Sequence, residues 1–148
     1  MSRRRFLAAV VALTLTACGG GGDAVAPAPK YPDLAGTYKI SGTFDTYTAA
    51  EAGLSGTIVI TQADRNAPGL AGSANVTVTI GTGAVTLTQL KNATANAAGA
   101  ITFELPPPGS ASTWTFTGSM SGTAITGTHA LRSVDGAGVL GRFTAMRQ

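Results

Sequence analysis

Charge is scarce in this chain: 11% of its 148 residues are Asp, Glu, Lys or Arg, and aromatic residues make up only 6%. Cysteine, histidine and tryptophan occur once each. A single cysteine excludes an internal disulfide framework and every zinc or iron–sulfur site built from several thiolates. One histidine cannot build a metal site alone. No apolar run reaches the roughly 18 residues that a membrane-spanning helix requires. With 44% apolar residues and so little charge, the composition is that of a folding chain rather than a disordered one. At this length it is a single modest domain. Glycine is plentiful, at 20 residues.

The formal net charge of +3 suggests an anionic partner only until the chain is divided. Three of the ten bases are Arg3, Arg4 and Arg5. From residue 18 onward seven bases face seven acids, a balance of zero, with no cluster of Lys or Arg. Phosphate-backbone binding loses its main driving force, and nucleic acid is not an expected partner.

The first residues read as an export signal. Met1 to Arg5 are basic, and Phe6 to Ala17 form an uncharged apolar stretch that ends at Leu15-Thr16-Ala17-Cys18, before four glycines. Leu-x-Ala-Cys in this context resembles the lipobox of bacterial lipoproteins. That resemblance implies a signal peptide at 1–17, cleavage by signal peptidase II before Cys18, a thioether-linked diacylglycerol on the Cys18 sulfur, and acylation (palmitate, for example) of the new amino group. The chemistry calls for a thiol because it is the readiest soft nucleophile for alkylation. Multiple acyl chains anchor where one holds only marginally, each buried methylene adding about 0.8 kcal/mol. Gly19, where a retention signal would have Asp, resembles default sorting to the outer membrane. Ser2-Arg3-Arg4-Arg5-Phe6-Leu7 resembles the twin-arginine export motif, although Ala8 stands where that motif often has Lys; the general secretory route stays open.

Residues 18–32, with their glycines and Pro27, Pro29 and Pro32, form an extended, flexible tether after the lipid-bearing cysteine. Residues 33–148 follow as the folded domain, and their hydrophobic period is two. Leu34, Tyr38, Ile40 and Phe44 share one face; Ile58 and Ile60, Val76 and Val78, Val85 and Leu87, Ile101, Phe103 and Leu105, and Trp114 and Phe116 continue the pattern. Many of the 20 threonines after the lipobox fall on the opposite face, where a β-branched hydroxyl suits an exposed strand. Strand-like runs begin near 34, 54, 71, 84, 92, 101, 112, 122 and 138, the one at 92–97 being the least strand-like. Thr48-Ala49-Ala50-Glu51 mimics a capping box and marks a possible helical turn over 45–52, ended by Gly53. A short repeat, apolar-x-Gly-Ser/Thr, recurs at Leu34, Ile40, Leu54, Leu70, Phe116, Met120 and Ile125. Its glycines fall on the inward face, where a bare backbone lets strands coil. The expected fold is therefore all-β: a small antiparallel up-and-down barrel of about eight strands, with a β-sandwich as the alternative.

Gly36-Thr37-Tyr38 near the start and the arginines of the last strand, Arg142 to Arg147, resemble the lipocalin-like, or calycin, superfamily. There a Gly-x-Trp on the first strand packs beside an arginine from the last; here Tyr38 replaces the tryptophan. The resemblance implies a barrel and, more distantly, ligand binding.

No catalytic constellation emerges. Gly136 to Gly141 spells G-x-G-x-x-G, but the seven residues that follow leave no room for a βαβ unit, and a glycine-rich hairpin is the better reading. No serine occupies a G-x-S-x-G centre, and the carboxylates fall mostly in turns. An enzyme is not expected, and neither is a cofactor or a metal. His129 shares a face with Ile125 and Leu131; a core histidine is its plainer reading, a polar contact for a ligand the functional one. The expectation is a lipid-anchored, exported envelope protein, a non-catalytic binding module for a small apolar ligand, lined by Tyr38, Trp114, Phe116 and His129 if the interior is open. The alternative is a closed-core module acting through its outer surface.

Overall fold

The computed structural model describes residues 28–132 and 138–148. The expected signal peptide, Cys18, most of the tether and the start of the hairpin at 136–141 lie outside the described residues. Alternating inward and outward side chains produce nine strands: β1 Gly36–Phe44, β2 Ala52–Thr61, β3 Ala71–Ile80, β4 Gly83–Gln89, β5 Lys91–Ala95, β6 Ala100–Leu105, β7 Thr113–Ser121, β8 Ala124–Arg132 and β9 Gly138–Arg147. All pairings are antiparallel, and the spatial order is β4-β3-β2-β1-β9-β8-β7-β6-β5. First and last strands pair directly, with Tyr38 opposite Arg147 and Phe44 opposite Gly141. The sheet thus curls into a nearly closed up-and-down barrel, and the sandwich alternative is set aside.

The strand count of nine and the expected eight describe one object. β4 and β5 end the sheet on either side, yet only Leu90 separates them in the chain. Together they make one bent stave. The bend comes from irregular pairing on both flanks: Ala74 and Asn75 face a single residue of β4, and Asn92 and Ala93 a single residue of β6. Asn92 takes the left-handed φ of 48° that such a bulge needs. Beyond the bend, β5 is joined to the chain just before β3: Leu70 N–H donates to the Ala93 carbonyl at 2.9 Å and Ala95 N–H to that of Pro68 at 2.8 Å. β4, in contrast, has one hydrogen-bonded neighbour, β3, among the described residues. The barrel is therefore sealed along β5 and parted along β4.

The turn over 45–52 keeps its capping box but grows no helix. Glu51 Oε2 accepts from the Thr48 backbone N–H and hydroxyl, both at 2.9 Å, and these donors hold the Glu51 carboxyl below the usual range. Ala52 N–H still donates to the Thr48 carbonyl at 3.0 Å, but Ala52 already begins β2, so the turn stops one residue before the expected Gly53.

The repeat glycines have a steric role that the pairings make explicit. Gly56 in β2 faces Val76 in β3 and has a φ of 153°, outside the range an L-residue adopts comfortably. A Cβ built there would overlap the Asn75 carbonyl oxygen. The neighbouring chain runs where a side chain would be, which is how a short barrel closes tightly.

One end of the barrel is plugged by the incoming chain. Leu34 is fully buried, its N–H donating to Gln62 Oε1 at 3.0 Å. Tyr31 N–H donates to the Arg65 carbonyl at 2.9 Å, and the Arg65 guanidinium returns bonds to the Tyr31 carbonyl. The opposite end carries the β3–β4 turn, the β6–β7 loop with Pro106 to Pro108, and the end of β8. No helix among the described residues is long and apolar enough to cross a membrane.

Candidate functional site

Inward-facing residues stack in layers along the barrel axis. At the plugged end the Tyr38 hydroxyl donates to the Leu34 carbonyl at 2.9 Å and accepts from Arg147 Nε and Nη2 at 3.2 and 3.0 Å. Arg147 also lies over the Tyr38 ring, donates to the Asp33 carbonyl at 2.6 Å and pairs with the Asp33 carboxylate at 3.7 Å. Tyr38 is thus satisfied within the closure of the barrel floor.

The middle layer is aromatic. Phe103 and Phe116 stack with ring centroids 4.8 Å apart, and Phe143 meets their rings edge-on at 6.1 and 5.2 Å. Such pairs add to their area burial only in offset or edge geometries, which these are. The lumen at this height is filled with side chains.

Above that layer, at the open end, the parted edge of β4 leaves a pocket of about 370 Å3. Val78 and Ile80 of β3, Ala84 and Val85 of β4, Trp114 of β7 and Leu131 of β8 make its apolar wall; Pro107, Ser110 and Ser112 of the β6–β7 loop rim it. Its size and apolar lining with a few hydroxyls at the rim are those of a small-molecule site. A depression of about 440 Å3 at the plugged end, walled by Pro32, Asp33, Met120 and Arg147, offers less, since Arg147 is already engaged by Asp33 and Tyr38. Among the described residues no group of three or more His, Cys, Asp or Glu stands ready to hold a metal.

His129 lies below the mouth, in the layer of its cross-strand partner Phe116, and is 1% exposed. Three rings surround it: Phe44 at 4.9 Å, Trp114 at 5.5 Å and Phe116 at 5.6 Å. Its Nε2 is 3.0 Å from the Thr43 carbonyl oxygen. A carbonyl only accepts, so Nε2 carries the proton and Nδ1 the lone pair. Nδ1 is buried and has no hydrogen-bond partner among the described residues. Burial pushes the imidazole pKa below its ordinary value near 6.5, against smaller upward pulls from the Thr43 carbonyl and the Asp45 charge. The ring is neutral at neutral pH.

That depression has a consequence for stability. The unfolded chain takes up its histidine proton near pH 6.5, while the folded chain resists until the pH is lower, so in that window the unfolded state binds more protons. Stability is fully present above about pH 6.5 and declines as the pH falls below it, until the folded ring also protonates. Urea midpoints measured at half-unit steps from pH 7.5 to 5.5 should decrease monotonically. Because this is the only histidine, a flat profile would contradict the burial of His129.

Of the four residues expected to line a ligand site, three come together. Trp114, Phe116 and His129 form one cluster on adjacent strands, with Trp114 opposite Leu131 and Phe116 opposite His129. Of these, Trp114 forms wall of the mouth pocket, while Phe116 and His129 lie beneath it. Tyr38 is at the other end of the barrel. Sequence reasoning did not assemble Phe44, Phe103 and Phe143 into the same cluster, and it missed Val78, Ile80, Ala84, Val85 and Leu131 as pocket wall. The alternation marks these residues as inward, apart from Ala84, which lies opposite Thr79 on the outer face at the edge of β4, but no local signal marks the height at which each one lies.

The fold and pocket define a class: a small antiparallel up-and-down barrel, nearly closed, plugged at the end where the chain comes in and open to an apolar pocket at the other. No family model matches the chain, and no curated protein matches it. Among solved structures, one described as "Structure of EF1p2_mFAP2b bound to DFHBI" is similar, with a TM-score of 0.54 at 12% identity over 78% of this chain and 94% of that one. At that identity the likeness is one of fold.

Proposed function

We propose that this chain is a lipid-anchored bacterial envelope protein, non-catalytic, whose barrel binds a small apolar ligand at its mouth. The apolar pocket of about 370 Å3 beside the single tryptophan carries the binding part of this reading. The barrel similar to it in the solved structures has DFHBI bound, which supports small-molecule binding on this scaffold. Leu15-Thr16-Ala17-Cys18 carries the anchoring part. In this reading the acylated Cys18 holds the domain to an envelope leaflet, the outer membrane by the Gly19 sorting rule. The chain comes in at the plugged end, so a tether arriving there leaves the mouth facing away from the leaflet.

Native mass spectrometry of protein purified from cell extract tests the binding part. The expected spectrum contains a bound small molecule whose occupancy is lost in Val85→Trp. Val85 pairs with inward Val78 and is half-buried in the pocket wall, so a bulky ring there takes the ligand's place, at a cost of about 1 to 3 kcal/mol. A bare mass in the native protein, unmoved by added apolar compounds, favours the second reading: a packed barrel acting through its outer surface. The stacked Phe103–Phe116 pair, which fills the lumen below the mouth, is the observation behind that second reading.

A further inference from the structure

Among the described residues two buried side-chain polar atoms have no hydrogen-bond partner: Gln62 Nε2, beside Leu34 at the plugged end, and His129 Nδ1, below the mouth. Nδ1 of His129 holds a lone pair inside an aromatic cage, with its tautomer fixed by the bond from Nε2 to the Thr43 carbonyl. An acceptor buried without a partner costs more than a made hydrogen bond returns, so structures rarely leave one bare. Its place relative to the pocket is set by the ladder between β7 and β8. Trp114 pairs with Leu131 in the layer that forms the pocket wall; Phe116 pairs with His129 in the next layer down. Two strand residues separate these layers, roughly 7 Å along the barrel. The Trp114 ring lines the pocket, and its centroid is 5.5 Å from that of the imidazole.

We infer that His129 is the specificity-determining residue of the mouth site, and that the ligand is an apolar ring system carrying an O–H or N–H donor that reaches Nδ1 one layer below the pocket. The donor enters as Trp114 tilts aside, and the ring occupies the wall formed by Val78, Ile80, Val85 and Leu131. Phe44, Trp114 and Phe116 exclude water from the hydrogen bond once it forms, so it discriminates against analogues without a donor. The inference rests on the binding reading above and adds the polarity of the ligand to it.

Three probes of similar size separate the possibilities: naphthalene, 1-naphthol, and 1-methoxynaphthalene, which can accept but not donate. They are titrated against the full chain while Trp114 emission is followed. With histidine as the only imidazole, 15N-histidine labelling gives one unprotonated ring nitrogen to watch. The expected result is 1-naphthol binding roughly tenfold more tightly than the other two, with the Nδ1 resonance moving upfield for 1-naphthol alone. His129→Leu should erase the preference while still binding naphthalene. If that variant fails to fold, the nitrogen resonance of the native protein decides by itself. Equal binding of all three probes with an unmoved Nδ1 signal overturns this inference and leaves the binding reading standing. Failure of all three to bind overturns both.

Discussion

Cys18→Ser abolishes incorporation of radiolabelled palmitate and moves the protein from the membrane fraction to the soluble one: that is the largest effect expected of any single substitution in this chain. The thiol is the only group at the Leu15-Thr16-Ala17-Cys18 junction able to be alkylated readily, and the chain has no second cysteine to take over. At about 0.8 kcal/mol for each buried methylene, loss of three acyl chains removes on the order of tens of kcal/mol of membrane affinity. From residue 18 onward the chain carries no charge surplus that would hold it to an anionic leaflet instead. Label persisting in the serine variant, or native protein found freely soluble with an unmodified thiol, would reject the anchoring reading. The barrel itself would be untouched by either result.

The second large effect is structural. Gly56→Ala is expected to destabilise the domain by about 3 kcal/mol, from a φ an L-residue resists and from overlap with the strand opposite. Gly56 has a φ of 153°, and the Asn75 carbonyl occupies the place of the new Cβ. The obstacle is backbone in a paired strand, so relief requires β2 and β3 to part. For a domain of this size, the melting temperature should fall by roughly 10 to 20 °C. Gly53→Ala, three residues away in the same strand, is the control: nothing lies within 4 Å of its added methyl group, and its effect should stay within about 0.5 kcal/mol. Equal effects at the two positions would mean that the close approach of β2 to β3 is not what Gly56 is for.

Strand positions were readable because in–out alternation is a local property. Val76 and Val78 face inward whatever their strand pairs with, and Thr77 and Thr79 face outward for the same steric reason. Even the weakest run, at 92–97, becomes β5, although its small inward residues Ala93 and Ala95 gave little signal. The eight-stave count survived because β4 and β5 are one stave bent at Leu90. The bend itself was not readable, since a bulge is a mismatch between two strands and neither strand shows it alone. The helical turn over 45–52 kept its cap and lost its helix to β2, whose pairing with β1 and β3 outweighs one turn of local hydrogen bonds.

The candidate site divides along the same line. His129 and Trp114 were singled out by rarity and by face, and Tyr38 by its place in Gly36-Thr37-Tyr38. Their grouping required the register. Tyr38 pairs across to Arg147 at the plugged end, whereas Trp114 pairs to Leu131 at the mouth. Both look equally inward in the sequence.

The sequence by itself determined the all-β class, the strand positions and the neutral, threonine-rich composition of the domain. Each depends on residues adjacent in the chain, through composition and side-chain alternation. Only the tertiary structure decided that the first and last strands close the barrel, that aromatic rings fill its middle, that β4 parts from its neighbour to open the mouth, and that one imidazole nitrogen is buried with no partner among the described residues. These depend on which distant strands pair and with what stagger. The stagger sets the height of every inward side chain along the barrel axis, and no run of neighbouring residues encodes it.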